Sequence, residues 1–197
     1  MNITEPLRLS VGSHSKGSGK GCVMNIISWE NGDKTISDMP DCAAPVLARI
    51  AQQVNDSICT HRVGHPWLVL PGGDTPEDAE DPSLLCAECS MKVLELGHRT
   101  VGTNWEPPKF ITNQAALDEC ETVGERFKLA MQTASDVWSG MNLFGDPDTS
   151  DPDDYIDGRL GRAHKAFDTF FEVSGFKETT TPVCVIEEAY EKMLQPA

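Results

Sequence analysis

The sequence predicts a mainly α chain with a small β component, built as a helical domain. Three observations predict it. Apolar residues recur three and four apart over long stretches, above all Cys120, Val123, Phe127, Ala130, Ala134, Val137 and Met141. That spacing places side chains on one face of an α-helix. Strict alternation of apolar and polar residues, the mark of a half-buried strand, is confined to Leu7, Leu9 and Val11. Helix punctuation is frequent: Pro45, Pro82 and Pro182 each stand where a first turn would begin, and Asn31-Gly32 and Gly97 stand where helices would stop.

Taken in order, the strand at Leu7–Val11 leads into a loop rich in Gly, Ser and Lys from Gly12 to Gly21. The apolar segment CVMNIISW from Cys22 reads as a short helix, with a strand as the alternative, and ends at Asn31-Gly32. Ala43, Val46, Leu47, Ile50, Val54 and Ile58 share one helical face, with Pro45 in the first turn. Residues 59–82 are irregular, apart from an apolar run at Trp67–Leu70 that suits a strand. A helix is expected from Pro82 to Leu96, with Gly97 closing it. The longest helix is expected over 113–141, weakened at Gly124. Its seam suits the core of a bundle, and a dimer seam is the alternative. GDPDTSDPDDYID at 145–157, with six aspartates and two prolines, reads as a solvated loop that lacks the central Gly and terminal Glu of an EF-hand. Helices are then expected from Gly158 to Val173, with His164 on the apolar face, and from Pro182 onward with Thr181 as cap.

The chain has 197 residues, with 16 Lys+Arg against 31 Asp+Glu and a net charge of -15. One domain is expected at this length. Residues 1–62 carry equal numbers of acids and bases, whereas 63–197 hold ten basic and 25 acidic residues, so the whole excess lies there. Two regions follow, a neutral N-terminal one and an acidic, mainly helical one. Such a field repels nucleic acids and anionic membranes, and suits a basic surface on another protein. No run approaches the ~20 apolar residues that span a bilayer, and no signal peptide is visible. Seven cysteines without an export signal indicate reduced thiols and a cytoplasmic location.

Three sets of residues carry candidate chemistry. The first is the loop GSHSKGSGKG. Between Pro6 and Trp29 there is no acid, so His14, Lys16 and Lys20, with Gly17 and Gly19 baring backbone N–H groups, have the ingredients of a site for a small anion or nucleotide. It is not a P-loop, because the Gly-Lys-Ser/Thr ending is missing. The second is Cys22, where a helix N-terminus and Lys20 would favour thiolate, with His14 as base and Asp38 to orient it. A buried structural cysteine is the competing reading. The third is a metal site. Cys86-x-x-Cys89 has zinc-knuckle spacing at a helix start, and Cys59, His61 and His65 lie upstream. Tetrahedral zinc needs four such ligands, and Cys59, His61, Cys86 and Cys89 are the chosen set.

Gly12-Ser13-His14, Cys22-Val23-Met24, Ser37-Asp38 with Pro40 and Cys42, Pro45-Val46 and Asn55-Asp56 form a pattern over residues 8–56. It resembles an uncharacterised protein family of actinobacteria and their phages. In that family an acid often follows the Cys-Val-Met and a His often precedes the Pro; here those positions hold Asn25 and Met39. The resemblance implies a phage or bacterial cytosolic setting. The expected function is a non-enzymatic binding protein. It would engage a host protein through its acidic surface, or hold a small anionic ligand at the 12–21 loop. The alternatives are a Cys22-dependent hydrolase or transferase and a structural phage component.

Overall fold

The computed structural model describes residues 8–12, 14, 20–59, 81, 83–101, 114–140 and 152–176. Five helices occupy them: α1 (Val23–Glu30), α2 (Pro45–Ser57), α3 (Ala87–His98), α4 (Gln114–Gly140) and α5 (Pro152–Ser174). The described residues are therefore mainly helical, as the apolar spacing predicts. The β content of the described residues is two isolated antiparallel bridges, Ser10 with Leu84 and Ala43 with Val101. The predicted Trp67–Leu70 strand, the Pro182 helix and His65 lie outside the described residues. No helix of the described residues is long and apolar enough to cross a membrane.

Each helix starts for a readable reason. Cys22 caps α1 in an extended conformation, and Asn25, three residues on, completes a capping box. That arrangement satisfies N–H groups that the first turn leaves without partners. Pro45 opens α2, where its missing N–H is no loss. The expected start of α3 at Pro82 is too early. Leu85 and Cys86 are non-helical, and the Cys86 sulfur caps α3 by accepting the Cys89 N–H at 3.3 Å. The expected start of α5 at Gly158 is too late, because Pro152 begins the helix. Three of the six aspartates that suggested a loop, Asp153, Asp154 and Asp157, lie in its first turns, where negative charge complements the helix dipole.

Gly97 corrects the sequence reading in another way. It lies within α3, which runs on to His98. A Cβ at position 97 would stand 2.2 Å from Val23 Cγ2. The glycine therefore lets α1 and α3 approach closely at this position and stands inside the helix rather than beyond its end.

One core draws on all five helices. It includes Met24, Ile26 and Ile27 of α1, Leu47 and Ile50 of α2, Leu94 and Leu96 of α3, and the rings of Phe127, Phe167 and Phe170 from α4 and α5. Of the α4 seam, Phe127, Ala130 and Ala134 are buried inside the chain and Val137 is half-buried, with Trp138 buried beside it. Phe127 meets Phe170 edge to face at 5.7 Å between centroids. Arg99, just after α3, ties that helix to α5. It donates to His164 Nδ1 and to Asp168, both at 2.6 Å, and its guanidinium lies 5.4 Å from the Phe167 ring centroid. Arginine has no acceptor, so His164 Nδ1 accepts and the neutral ring carries its proton on Nε2. His164 is thus a structural contact.

Candidate metal centre

The end of α2 and the start of α3 bring three sulfurs together. Cys59 lies two residues past α2, Cys86 caps α3, and Cys89 lies in its first turn. Their Sγ atoms all lie within 4.8 Å of one another. The backbone holds them there. The Cys86 N–H donates to Cys59 Sγ at 3.3 Å, and the Cys89 N–H donates to Cys86 Sγ at the same distance. These donors, with the positive end of α3, favour negative charge on sulfur.

The N-terminal segment braces this junction. Leu85 N–H donates to the Leu9 carbonyl at 2.8 Å, and Val11 N–H to the Ser83 carbonyl at 2.9 Å. Arg8 Nε donates to the Leu85 carbonyl at 2.7 Å, and Leu9 N–H to Ser90 Oγ at 2.9 Å. Cys59 and Cys89 are buried, and Cys86 is partly exposed.

Without a cation the cluster resists ionisation. The Cys89 thiol is pushed far up, first by Cys59, then by Cys86 and by burial. The Cys86 thiol is also raised, chiefly by its interaction with Cys59. Like charges so close cannot all form in a dry site, and a bound cation reverses that logic. Zinc–sulfur bonds of ~2.3 Å set tetrahedral sulfurs roughly 3.8 Å apart. The observed cluster needs only small side-chain adjustments to reach that spacing. Three cysteines of the expected ligand set are therefore assembled and could hold a metal ion, while His61 lies outside the described residues.

The Cys22 constellation is arranged differently from the expectation. Cys22 is 2% exposed. Burial pushes its thiol up to about 11, against the expected drop, and the nearby carboxylates of Asp56 and Asp38 add to the rise. Desolvation here outweighs the helix N-terminus. Cys22 Sγ–H donates to Asn25 Oδ1 at 3.2 Å. The His14 N–H reaches the same oxygen at 3.2 Å, but the ring Nε2 pairs with the Val11 carbonyl at 2.9 Å. Among the described residues neither the thiol nor Asp38 bonds to the imidazole. Asp38 instead offers its backbone carbonyl to Gln52 Nε2 at 2.6 Å.

Of the predicted anion loop, His14 and Lys20 are described, whereas Lys16, Gly17 and Gly19 lie outside the described residues. Lys20 Nζ is 2.5 Å from Asp81 and donates to Ser83 Oγ at 3.0 Å. Lys20 and Ser83 hold the Asp81 carboxyl well below the usual range. An incoming anion would meet a cation that is already compensated.

Sequence reasoning missed two polar sets. Asn55 accepts the Val23 N–H through Oδ1 at 3.2 Å and donates through Nδ2 to the Ser10 carbonyl at 2.9 Å. It fastens α2 to the start of α1. Its position on the buried side of α2, one residue after Val54, was the available signal. The second set is His98 with Glu30. His98 is buried with Nε2 3.0 Å from Glu30 Oε2. No local pattern links positions 30 and 98. Compared with protein-family models, curated proteins and solved structures, the chain matches none.

Proposed function

We propose that this chain is a non-enzymatic binding protein whose helical scaffold is locked by zinc on Cys59, Cys86, Cys89 and His61. The observation that carries the metal reading is the trio of sulfurs within 4.8 Å of one another. Soft thiolates in a closed cluster suit zinc better than hard cations. His61 follows Cys59 by two residues, a tether of ~7 Å at most, so the fourth ligand is within reach by chain length alone. Such a centre would clamp the end of α2 to the start of α3 and close the segment between them, which is a structural role.

The binding reading is supported by charge. Asp154, Asp157, Asp168 and Glu172 are exposed along α5, and the chain carries -15 overall. That surface fits a basic patch on a partner protein. The phage resemblance of residues 8–56 would make the partner a host protein. A raised, buried Cys22 thiol gives the enzyme alternative less support.

Metal analysis of the purified full chain tests the first part. About one equivalent of zinc is expected. Less than about half an equivalent, with Cys86→Ser leaving stability unchanged, overturns it. For the second part, a partner recovered from host lysate should dissociate steeply as salt rises. A complex indifferent to salt overturns the acidic-surface mechanism.

A further inference from the structure

Resting on the zinc reading, we propose that the three-sulfur centre is also a peroxide-responsive lock. In it, Cys86 is oxidised, closes a disulfide with Cys89, and so releases the metal and the end of α2.

The asymmetry of the cluster carries the proposal. Cys59 and Cys89 are each 1% exposed, whereas Cys86 is partly open to solvent and is the sulfur that an oxidant meets first. Cys86 sits at the positive end of α3 and accepts the Cys89 N–H at 3.3 Å. Metal ligation requires Cys86 as the thiolate, the form that attacks peroxide. Cys89 is the natural resolving residue. It stands in the first turn of the helix that Cys86 caps, and its sulfur lies within 4.8 Å. Closing that bridge requires no movement of one helix against another. Cys59 comes from the other side of the junction, beyond α2. A shared metal would bind it to the α3 pair, which it otherwise meets through the Cys86 N–H hydrogen bond to its sulfur.

The oxidant is hydrogen peroxide. The Cys86 thiolate attacks one peroxide oxygen, an S–O bond forms, and the O–O bond breaks. The departing hydroxide takes up a proton to become water. The Cys89 thiolate then attacks the Cys86 sulfenic sulfur, forming S–S and breaking S–O, and the second hydroxide also leaves as water. Two electrons pass from the two sulfurs to peroxide. The metal loses two thiolate ligands and is released, and a dithiol reductant reverses the change. Cys22, buried and hydrogen-bonded to Asn25, is the internal control.

The experiment uses the full chain loaded with zinc and exposed to limiting peroxide. Released zinc is read with a chromogenic chelator, and cysteine states are read by peptide mass mapping. About one zinc should appear per Cys86–Cys89 disulfide. Cys86 should be oxidised at least about tenfold faster than Cys22. Dithiothreitol with added zinc should restore the starting state. With Cys89→Ser, the sulfenic acid on Cys86 should persist and be trapped by a dimedone probe. Sulfinic acid without a disulfide overturns the proposal. So does a Cys59–Cys86 bridge, because it would weld α2 to α3. A chain that takes up no zinc overturns the metal reading on which the proposal rests. A chain that takes up zinc and keeps it under peroxide leaves that reading standing and overturns the lock alone.

Discussion

The α1–α3 region and the α4–α5 hairpin reach the same end by different physics. In α1–α3 the helices are short, close and fastened by polar atoms: Gly97 against Val23, Asn55 across two helices, and three sulfurs at one corner. In α4–α5 the helices are long and held by rings, with Phe127, Phe167 and Phe170 buried and Arg99 clamped on the outside. Short helices bury little apolar surface each and cannot hold their shape by propensity alone. Contacts of fixed geometry make up the difference. The lesson is that the first region should fail when one contact is altered, while the second should soften gradually.

Zinc removal tests the contrast most strongly. At a free zinc concentration a thousand times Kd, binding stabilises the fold by about 4 kcal/mol. Chelation of the loaded chain should lower its denaturation midpoint accordingly. Hydrogen exchange should show protection lost first around Cys59 and Cys86–Ser90, with the α4–α5 hairpin protected longest. Simultaneous loss everywhere would erase the proposed difference between the regions.

Phe170→Ala should cost about 4 kcal/mol in chemical denaturation, the usual scale for emptying a buried ring position. It should leave zinc uptake intact. Gly97→Ala should cost about 3 kcal/mol, because the new methyl would lie 2.2 Å from Val23 Cγ2. Adding Val23→Ala should recover part of that loss, and strict additivity in the double mutant would remove the close-approach explanation.

The pH dependence of Cys22 is the next effect down. Its thiol is raised from an ordinary 9.0 to about 11, so the folded chain holds the proton more tightly than the unfolded one. The resulting stability is fully present below pH 9 and is lost as pH rises through about 11. A rise of about two pH units corresponds to at most ~2.7 kcal/mol. Denaturation at pH 8 and pH 10.5 should show a smaller decline for Cys22→Ala than for the natural sequence. Equal declines would mean that the thiol ionises without strain. The smallest effect is expected for Arg99→Lys. It keeps the charge but loses the paired donors to His164 and Asp168, and should cost about 1 kcal/mol.

Several elements were legible because their signals are local. The face of α2 and the seam of α4 are periodic, and Cys86-x-x-Cys89 at a helix start is a spacing that can be read directly. The start of α5 was misread because aspartate and proline serve both loops and helix N-termini. Gly97 was misread for a similar reason. A glycine near the end of a periodic run looks like a terminator, and only the neighbouring helix shows that it makes room. The electrostatic fate of Cys22 and Lys20 was out of reach, since burial and the carboxylate of Asp81 are contributed by distant parts of the chain.

The sequence by itself determined the helical character, the uneven charge and the types of ligand at the candidate centre. These depend on periodicity, counting and residue chemistry, all of which survive without coordinates. The tertiary structure alone decided that Cys59 meets Cys86 and Cys89, that Lys20 meets Asp81, and that Cys22 is sealed from water. Contacts between residues far apart in the chain depend on how helices pack, and packing is set by the whole core at once.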